Sequence, residues 1–478
     1  MSDAPLSITE LERWIESTFQ AAATPGAAVV LERHGEPLLA RGFGYRDVSS
    51  GEAANIDTVF GSGSITKSLT ALAILLLEED AKLSTSDPVV KHLPDLRLAG
   101  ATTTAPITIH HLLTHTSGLP PLPSRHYAWL SQDDLEPFER APLERLPPRE
   151  PIRSFEELVA FLGEYPVELH ARPGEQFSYS NEGYNLLGAI IERVSGQPLP
   201  TFVRERILAP VGMDRSSLDL RFTLSLDNVT KLHVRQDGKV VTSANWFNPV
   251  CWAAAGALRT TAVDLARFFR MLAQDGSLDG KRVASPDSIR KMTTPYAPSR
   301  DGAAYGYGLS LRDLHGHELA HHGGGHKGVA AMGGFAAPEG LVCVVMTNFA
   351  EAPAPQVWTA CIRTALGLPL GPLSEAVEPI SLPTASLRRF AGFYRSLEGA
   401  AFKVAVDDAG GILVSAGDLS APALPTADDA ITFSVPGGWP QTIQFFSLGG
   451  DQVSHAFIGG RLVKRAELRP EAPSRVSG

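Results

Sequence analysis

Strand-like periodicity at both ends of the first 367 residues, with helical periodicity between them, constrains the fold of this 478-residue chain more than any other feature. Ile8, Leu11, Ile15 and Phe19 recur at helical spacing behind Ser7 and Glu10, which are spaced as a capping box. Ala27–Arg33 and Leu38–Tyr45 read as two strands joined by the turn His34-Gly35-Glu36-Pro37. Helices are expected from about Ser64, over 154–163 behind a second box of Ser154 and Glu157, over 182–195 up to Gly196, and over about 262–275. From Tyr305 to Asn348 short strands with Gly-rich turns return, followed by a helix over about 355–367. This order predicts an α+β fold in which the N- and C-terminal segments share one antiparallel sheet flanked by helices.

Two segments interrupt the pattern. Residues 119–153 are rich in Pro, Arg and Glu and read as a long excursion over the surface. Residues 368–384 carry four prolines and read as a linker. Beyond it the period is two, as in Phe402–Val406 and Thr442–Phe446, with turns at Gly410-Gly411, Gly449-Gly450 and Gly459-Gly460. About seven short strands are expected over 385–470, forming a separate small β-barrel. The expected organisation is therefore a domain over 1–367, a linker over 368–384 and a barrel domain over 385–470.

A net charge of −10 provides no global field for nucleic acid or an anionic membrane, which leaves small molecules, short peptides or protein partners. Homo-oligomerisation stays open. Cys251, Cys343 and Cys361 are too few for a disulfide framework and lack metal-ligand spacing. The stretch Leu69–Leu77, apolar except for Thr70, is far short of the roughly 20 residues that span a bilayer. No basic start precedes an apolar run, so a cytoplasmic location is expected.

The chemistry resides in three short motifs. Ser64-Ile65-Thr66-Lys67 lies where a Gly-Ser-Gly turn enters an apolar helix. An ammonium placed in such a run must be paired or lose its proton, and residues three apart on a helix share a face, so Lys67 can reach Ser64. Ser288-Ile289-Arg290-Lys291 has the same pattern but lies in a charged segment and reads as a solvated helix face. Tyr179-Ser180-Asn181 stands at a helix entry, where Tyr179 could serve as a general base and Asn181 could bind a substrate carbonyl or the lysine. His322-Gly323-Gly324 ends the expected strand Leu319–His322, and glycines there let a substrate backbone approach. The Ser64 and Gly325 amides could then form an oxyanion hole.

In this order, S-x-x-K, Y-x-N and H-x-G, the chain resembles the penicillin-recognising serine hydrolases: class C β-lactamases, D-alanyl-D-alanine carboxypeptidases, D-aminopeptidases and related esterases. Leu112–Leu119 (LLTHTSGL), Pro173-Gly174, and Gly256-Ala257-Leu258 leading into Thr261–Leu265 resemble the same family. The resemblance implies an all-helical region inserted beside the sheet, with a tail from about 385 similar to the small lipocalin-like barrels of D-aminopeptidase-like members. It implies Ser64 as nucleophile, Lys67 as its partner and Tyr179 as the base that also reprotonates the leaving group. Asn181, His322, Gly324 and Gly325 would bind substrate, and no metal or organic cofactor would be needed. His322 stands where many relatives have lysine. This weakens attraction for a substrate carboxylate and tilts the expectation toward peptides, amides or esters with a free amine or neutral end.

The alternatives are a β-lactamase with true penicillin or cephalosporin turnover, a non-catalytic binding protein on the same fold, and a zinc metallopeptidase. The last rests on His317-Glu318-Leu319-Ala320-His321, which matches H-E-x-x-H. That motif needs a helix, whereas Gly316 and Gly323–Gly325 and the alternation around them predict strand.

Overall fold

A computed structural model describes residues 5–466 apart from 99–104, 137–138, 141–142, 144–145, 300–301, 374–377, 400, 418, 435–439 and 449–451. The Gly449-Gly450 turn and parts of the 119–153 and 368–384 segments lie outside the described residues. A nine-stranded antiparallel sheet runs in the order Ala297–Pro298, Ala304–Tyr305, Ser310–Leu314, His317–His326, Val329–Ala336, Leu341–Thr347, Gly26–Arg33, Glu36–Asp47 and Glu52–Ala53. The N-terminal hairpin thus completes the C-terminal strands, with Val29 opposite Val345.

Period-two patterning sends alternate residues of the central strands into two cores. Ala27, Val29 and Leu31 pack with Leu11, Ile15 and Phe19 of the Ile8–Ala21 helix and with Val357, Trp358 and Ile362 of the Ala354–Ala365 helix. Ala28 and Val30 face the opposite way, toward Phe268 and Phe269 of the Ala262–Ala273 helix and the larger helical region. Leu341–Thr347 is buried along its whole length because helices cover both faces, which explains its unbroken apolar sequence. Trp358 fixes the outer layer by donating from Nε1 to Cys343 O at 2.9 Å.

Local signals are met with small adjustments. Ser7 and Glu10 form the full capping box. Ser154 caps the Phe155–Glu164 helix, but the Glu157 carboxylate accepts from the Arg153 amide instead of closing the box on Ser154. The 119–153 segment is not confined to the surface. Leu119, Leu122, Tyr127 and Ala128 are buried in the helical core, because their apolar side chains have a pocket against Phe155 and Phe161 to fill.

The C-terminal strands, from Gly392–Arg395 to Arg461–Ala466, close a barrel of eight, one more than the turn spacing suggested. It is pinned to the sheet body by Phe457 and Leu462, which pack on Phe177, Ala297 and Tyr305. No helix among the described residues is long and apolar enough to cross a membrane.

Candidate active site

Ser64 sits in the single 3₁₀ turn Gly63–Ile65, which runs directly into the Thr66–Glu79 helix. Gly63 takes φ +53°, a left-handed conformation open to glycine at little cost. Every residue from Thr66 to Leu77 is buried, so Lys67 is held inside the protein without any carboxylate in ion-pair contact among the described residues. Its Nζ lies 3.1 Å from Ser64 Oγ, 2.8 Å from Asn181 Oδ1 and 2.8 Å from Ala255 O. Burial, reinforced by the charge of Arg461, pulls the Lys67 ammonium well below the ordinary lysine range.

Asn181 Oδ1 and Ala255 O can only accept, so a neutral Lys67 amine spends its two N–H groups on them. In that state the lone pair would face Ser64 Oγ and accept from its hydroxyl, whereas the ammonium donates to all three oxygens.

Asn181 reaches Lys67 because it does not cap its own helix. Ser180 occupies the N-cap and accepts from Gly183 N at 3.1 Å, leaving Asn181 as the first helical residue with its amide directed inward. Tyr179 precedes the cap, with its ring centroid 4.8 Å from Lys67 Nζ. Its neighbour is His115, whose ring lies 4.2 Å away and whose Nδ1 accepts from Ser180 N at 3.0 Å. Burial holds His115 well below the ordinary histidine range, so it packs as a neutral ring.

The His317–His326 strand supplies the opposite wall. Its pairing with Ser310–Leu314 ends at His321, so the edge of residues 322–326 is open toward the nucleophile turn. The two backbones approach closely: a Cβ on Gly324 would lie 1.8 Å from Ser62 O and 3.0 Å from Ser64 N, and one on Gly63 would lie 2.6 Å from Gly325 N. The amides expected to hold an oxyanion therefore share one small space. His322 is buried, with Nε2 3.0 Å from the Tyr305 hydroxyl and Nδ1 2.6 Å from Gly323 O. Its ring is 6.3 Å from that of Tyr179.

All seven residues singled out in the sequence meet here. The other S-x-x-K does not: the Ser288 hydroxyl donates to Glu79 and Lys291 pairs with Glu78 at 3.1 Å, an ion-paired helix far from the cleft chemistry. The H-E-x-x-H match lies on a strand, which overturns the zinc reading. Residues four apart on a strand are separated by about 13 Å and cannot grip one ion.

Several neighbours gave no local signal. The barrel turn Gly459-Gly460 reaches over to Tyr179, whose amide donates to Gly460 O at 2.8 Å. The next residue, Arg461, holds its guanidinium carbon 5.4 Å from the Tyr179 ring centroid and pairs with Glu398 at 3.2 Å. Glu182 is fully buried beneath the site, and burial together with the charge of Glu398 raises its carboxyl well above the usual range. A backbone carbonyl such as Ala255 O, and two barrel residues beyond a linker, leave no motif behind.

Comparison with known proteins agrees with this arrangement. The family model described as Beta-lactamase matches residues 11–362. Protein Rv1367c of Mycobacterium tuberculosis is 30% identical over 303 residues, covering 59% of this chain and 70% of that protein. The structure of the octameric penicillin-binding protein homologue from Pyrococcus abyssi superposes with a TM-score of 0.66 at 28% identity, covering 96% of this chain and 100% of the other. SurE, solved with D-Leu, has a TM-score of 0.71 at 23% identity over 96% of this chain and 99% of its own, a likeness of fold. With its family signature spanning the sheet and helical body, the chain belongs to the beta-lactamase family and has the fold of its serine hydrolases.

Proposed function

We propose that the protein cleaves amide, peptide or ester bonds through a covalent acyl-Ser64 intermediate, in the manner of a D-aminopeptidase-like peptidase or an esterase. The observation that carries this reading is the Lys67 amine, buried without a carboxylate in ion-pair contact among the described residues and 3.1 Å from Ser64 Oγ. Lys67 accepts the Ser64 proton as Oγ attacks the carbonyl carbon. The Ser64 and Gly325 amides hold the oxyanion, and Tyr179 gives its phenolic proton to the leaving group and is reprotonated by the Lys67 ammonium, so the two act as one coupled unit. Water then repeats the cycle on the acyl-enzyme. Asn181 keeps the lysine in place by accepting one of its two N–H bonds. The residues supply acid, base and electrophilic stabilisation without a metal or organic cofactor. SurE, solved with D-Leu, and the family membership support a substrate of this class. The octameric Pyrococcus abyssi homologue makes a homo-oligomer the expected assembly, checked by light scattering.

The test is intact-protein mass spectrometry after incubation with a fluorophosphonate or an activated ester. A single adduct mapping to Ser64, absent in Ser64→Ala, is expected. Lys67→Ala and Tyr179→Phe should each lower turnover by roughly a hundredfold or more. Turnover by Ser64→Ala near that of the unaltered protein would overturn the reading, and a panel of D-aminoacyl amides, p-nitrophenyl esters and nitrocefin would separate peptidase, esterase and β-lactam hydrolysis.

A further inference from the structure

The helix Ser124–Trp129 lies in the 119–153 segment and carries one cation whose charge is unspent. The Arg125 guanidinium carbon sits 5.7 Å from the Trp129 ring and 5.3 Å from the Phe247 ring. Among the described residues Arg125 makes no hydrogen bond and no ion pair. Other cations of this flank are satisfied. Lys327 pairs with Glu136 at 3.3 Å and Glu139 at 2.5 Å, and Arg461 with Glu398 at 3.2 Å. Arg259 donates to Leu218 O, Phe247 O and Asn248 Oδ1.

Arg125 also belongs to the cleft. Ser124, its neighbour, donates to Glu182 Oε1 at 2.5 Å, and Glu182 follows Asn181, the partner of Lys67. Phe247, which seats Arg125, lies 5.6 Å from the ring of His326 at the end of the strand edge that borders Ser64. The charges of Glu398 and Arg461, which lie beside Tyr179, reach Arg125. Two aromatic faces hold its planar fork without consuming its five donors, an arrangement suited to a bidentate carboxylate.

We infer that Arg125 is a specificity-determining residue that binds a carboxylate on the acyl portion of the substrate, so that the preferred substrates are esters or amides of dicarboxylic half-acids. The inference rests on the acyl-Ser64 reading above. In that reading the leaving group departs toward Tyr179, the side roofed by Gly460 and Arg461, which sends the remainder of the acyl group to the flank of Phe247 and Arg125. The expected preference for a free amine or neutral end is thereby replaced on the acyl side. His322 is committed to Tyr305 and Gly323, and the anion falls to an arginine that the sequence pattern did not mark.

The experiment compares p-nitrophenyl butyrate with the p-nitrophenyl half-esters of succinate and glutarate. The unaltered protein should favour the half-esters in kcat/KM by about tenfold, the size of one charge-assisted bidentate contact. In Arg125→Gln this ratio should collapse toward one, and Arg125→Lys should restore part of it. Free glutarate, but not glutaramide, should also slow fluorophosphonate labelling of Ser64 in the unaltered protein, a readout that needs no variant. A ratio unchanged by Arg125→Gln, a preference for butyrate, or equal protection by glutarate and glutaramide would overturn the inference while Ser64 labelling left the hydrolase reading standing. Failure of every ester and of the fluorophosphonate to modify Ser64 would instead remove both.

Discussion

The Nζ of Lys67 stands 3.1 Å from the Oγ of Ser64, and its other two hydrogen-bond partners, Asn181 Oδ1 and Ala255 O, are acceptors. Burial pulls the Lys67 ammonium well below the ordinary lysine range, which favours the neutral amine that can accept a proton, whereas an ion pair would hold the charge in place. Removing the amine should therefore remove the reaction but leave the pocket. Lys67→Ala is expected to lose roughly a thousandfold in turnover. Small primary amines should restore part of it, more effectively as pH rises and the amine becomes neutral. Rescue that does not depend on pH would show that the amine acts by charge instead of as a base.

Two adjacent glycines should respond in opposite ways. A methyl group on Gly324 would lie 1.8 Å from Ser62 O, and the nucleophile turn would have to move. On Gly325 the nearest atom would be Val329 O at 3.6 Å, an ordinary contact. Gly324→Ala should abolish labelling of Ser64 by a small fluorophosphonate, and Gly325→Ala should retain it. Equal labelling rates in the two variants would show that the strand edge does not press on Ser64.

Chelation should leave activity intact. His317 pairs with Glu339 and His321 packs against Trp358, 5.1 Å between ring centroids, so each is committed to the strand's own packing. Overnight dialysis against a strong chelator should change kcat by less than twofold, an order-of-magnitude bound given that no catalytic step needs a metal. Loss of activity restored by zinc would contradict this.

These contrasts explain which parts of the molecule were legible in the sequence. Ser64 and Lys67 are three apart on one helix, so a local rule connects them. Tyr179 and Asn181 straddle a capping serine, and local chemistry again decides which side chain faces inward. The alternation of Ala27 to Leu31 likewise reports two cores directly. Arg461 and Glu398 are different in kind. Glu398 lies in a turn of the barrel and Arg461 opens its last strand, and only the docking of Phe457 and Leu462 on Phe177 carries them to Tyr179. Arg125 was hidden because the prolines and charges around it resemble solvated chain, whereas Leu122 and Tyr127 anchor it in the core.

The same docking should make the protein acid-sensitive at one seam. His170, from the sheet body, and His455, from the barrel strand His455–Ile458, face each other with ring centroids 4.9 Å apart. Burial holds each down to about 4; their mutual repulsion adds to this for His170, Lys464 lowers both further, and Glu168 partly opposes the shift. Unfolded, both would titrate near 6.5, so between about 6.5 and 4 the unfolded chain binds more protons than the folded one. Their neutral packing contributes fully above pH 6.5, and that contribution is lost as pH falls toward 4. It is on the order of 3 kcal/mol for each ring at most, with solvent access reducing this for the less enclosed one. Thermal melts should therefore fall steeply between pH 6.5 and 4.5. His455→Asn, which keeps a polar side chain but cannot take a proton, should flatten that slope. A slope as steep in His455→Asn as in the unaltered protein would place the acid sensitivity elsewhere, in buried histidines such as His115 and His326.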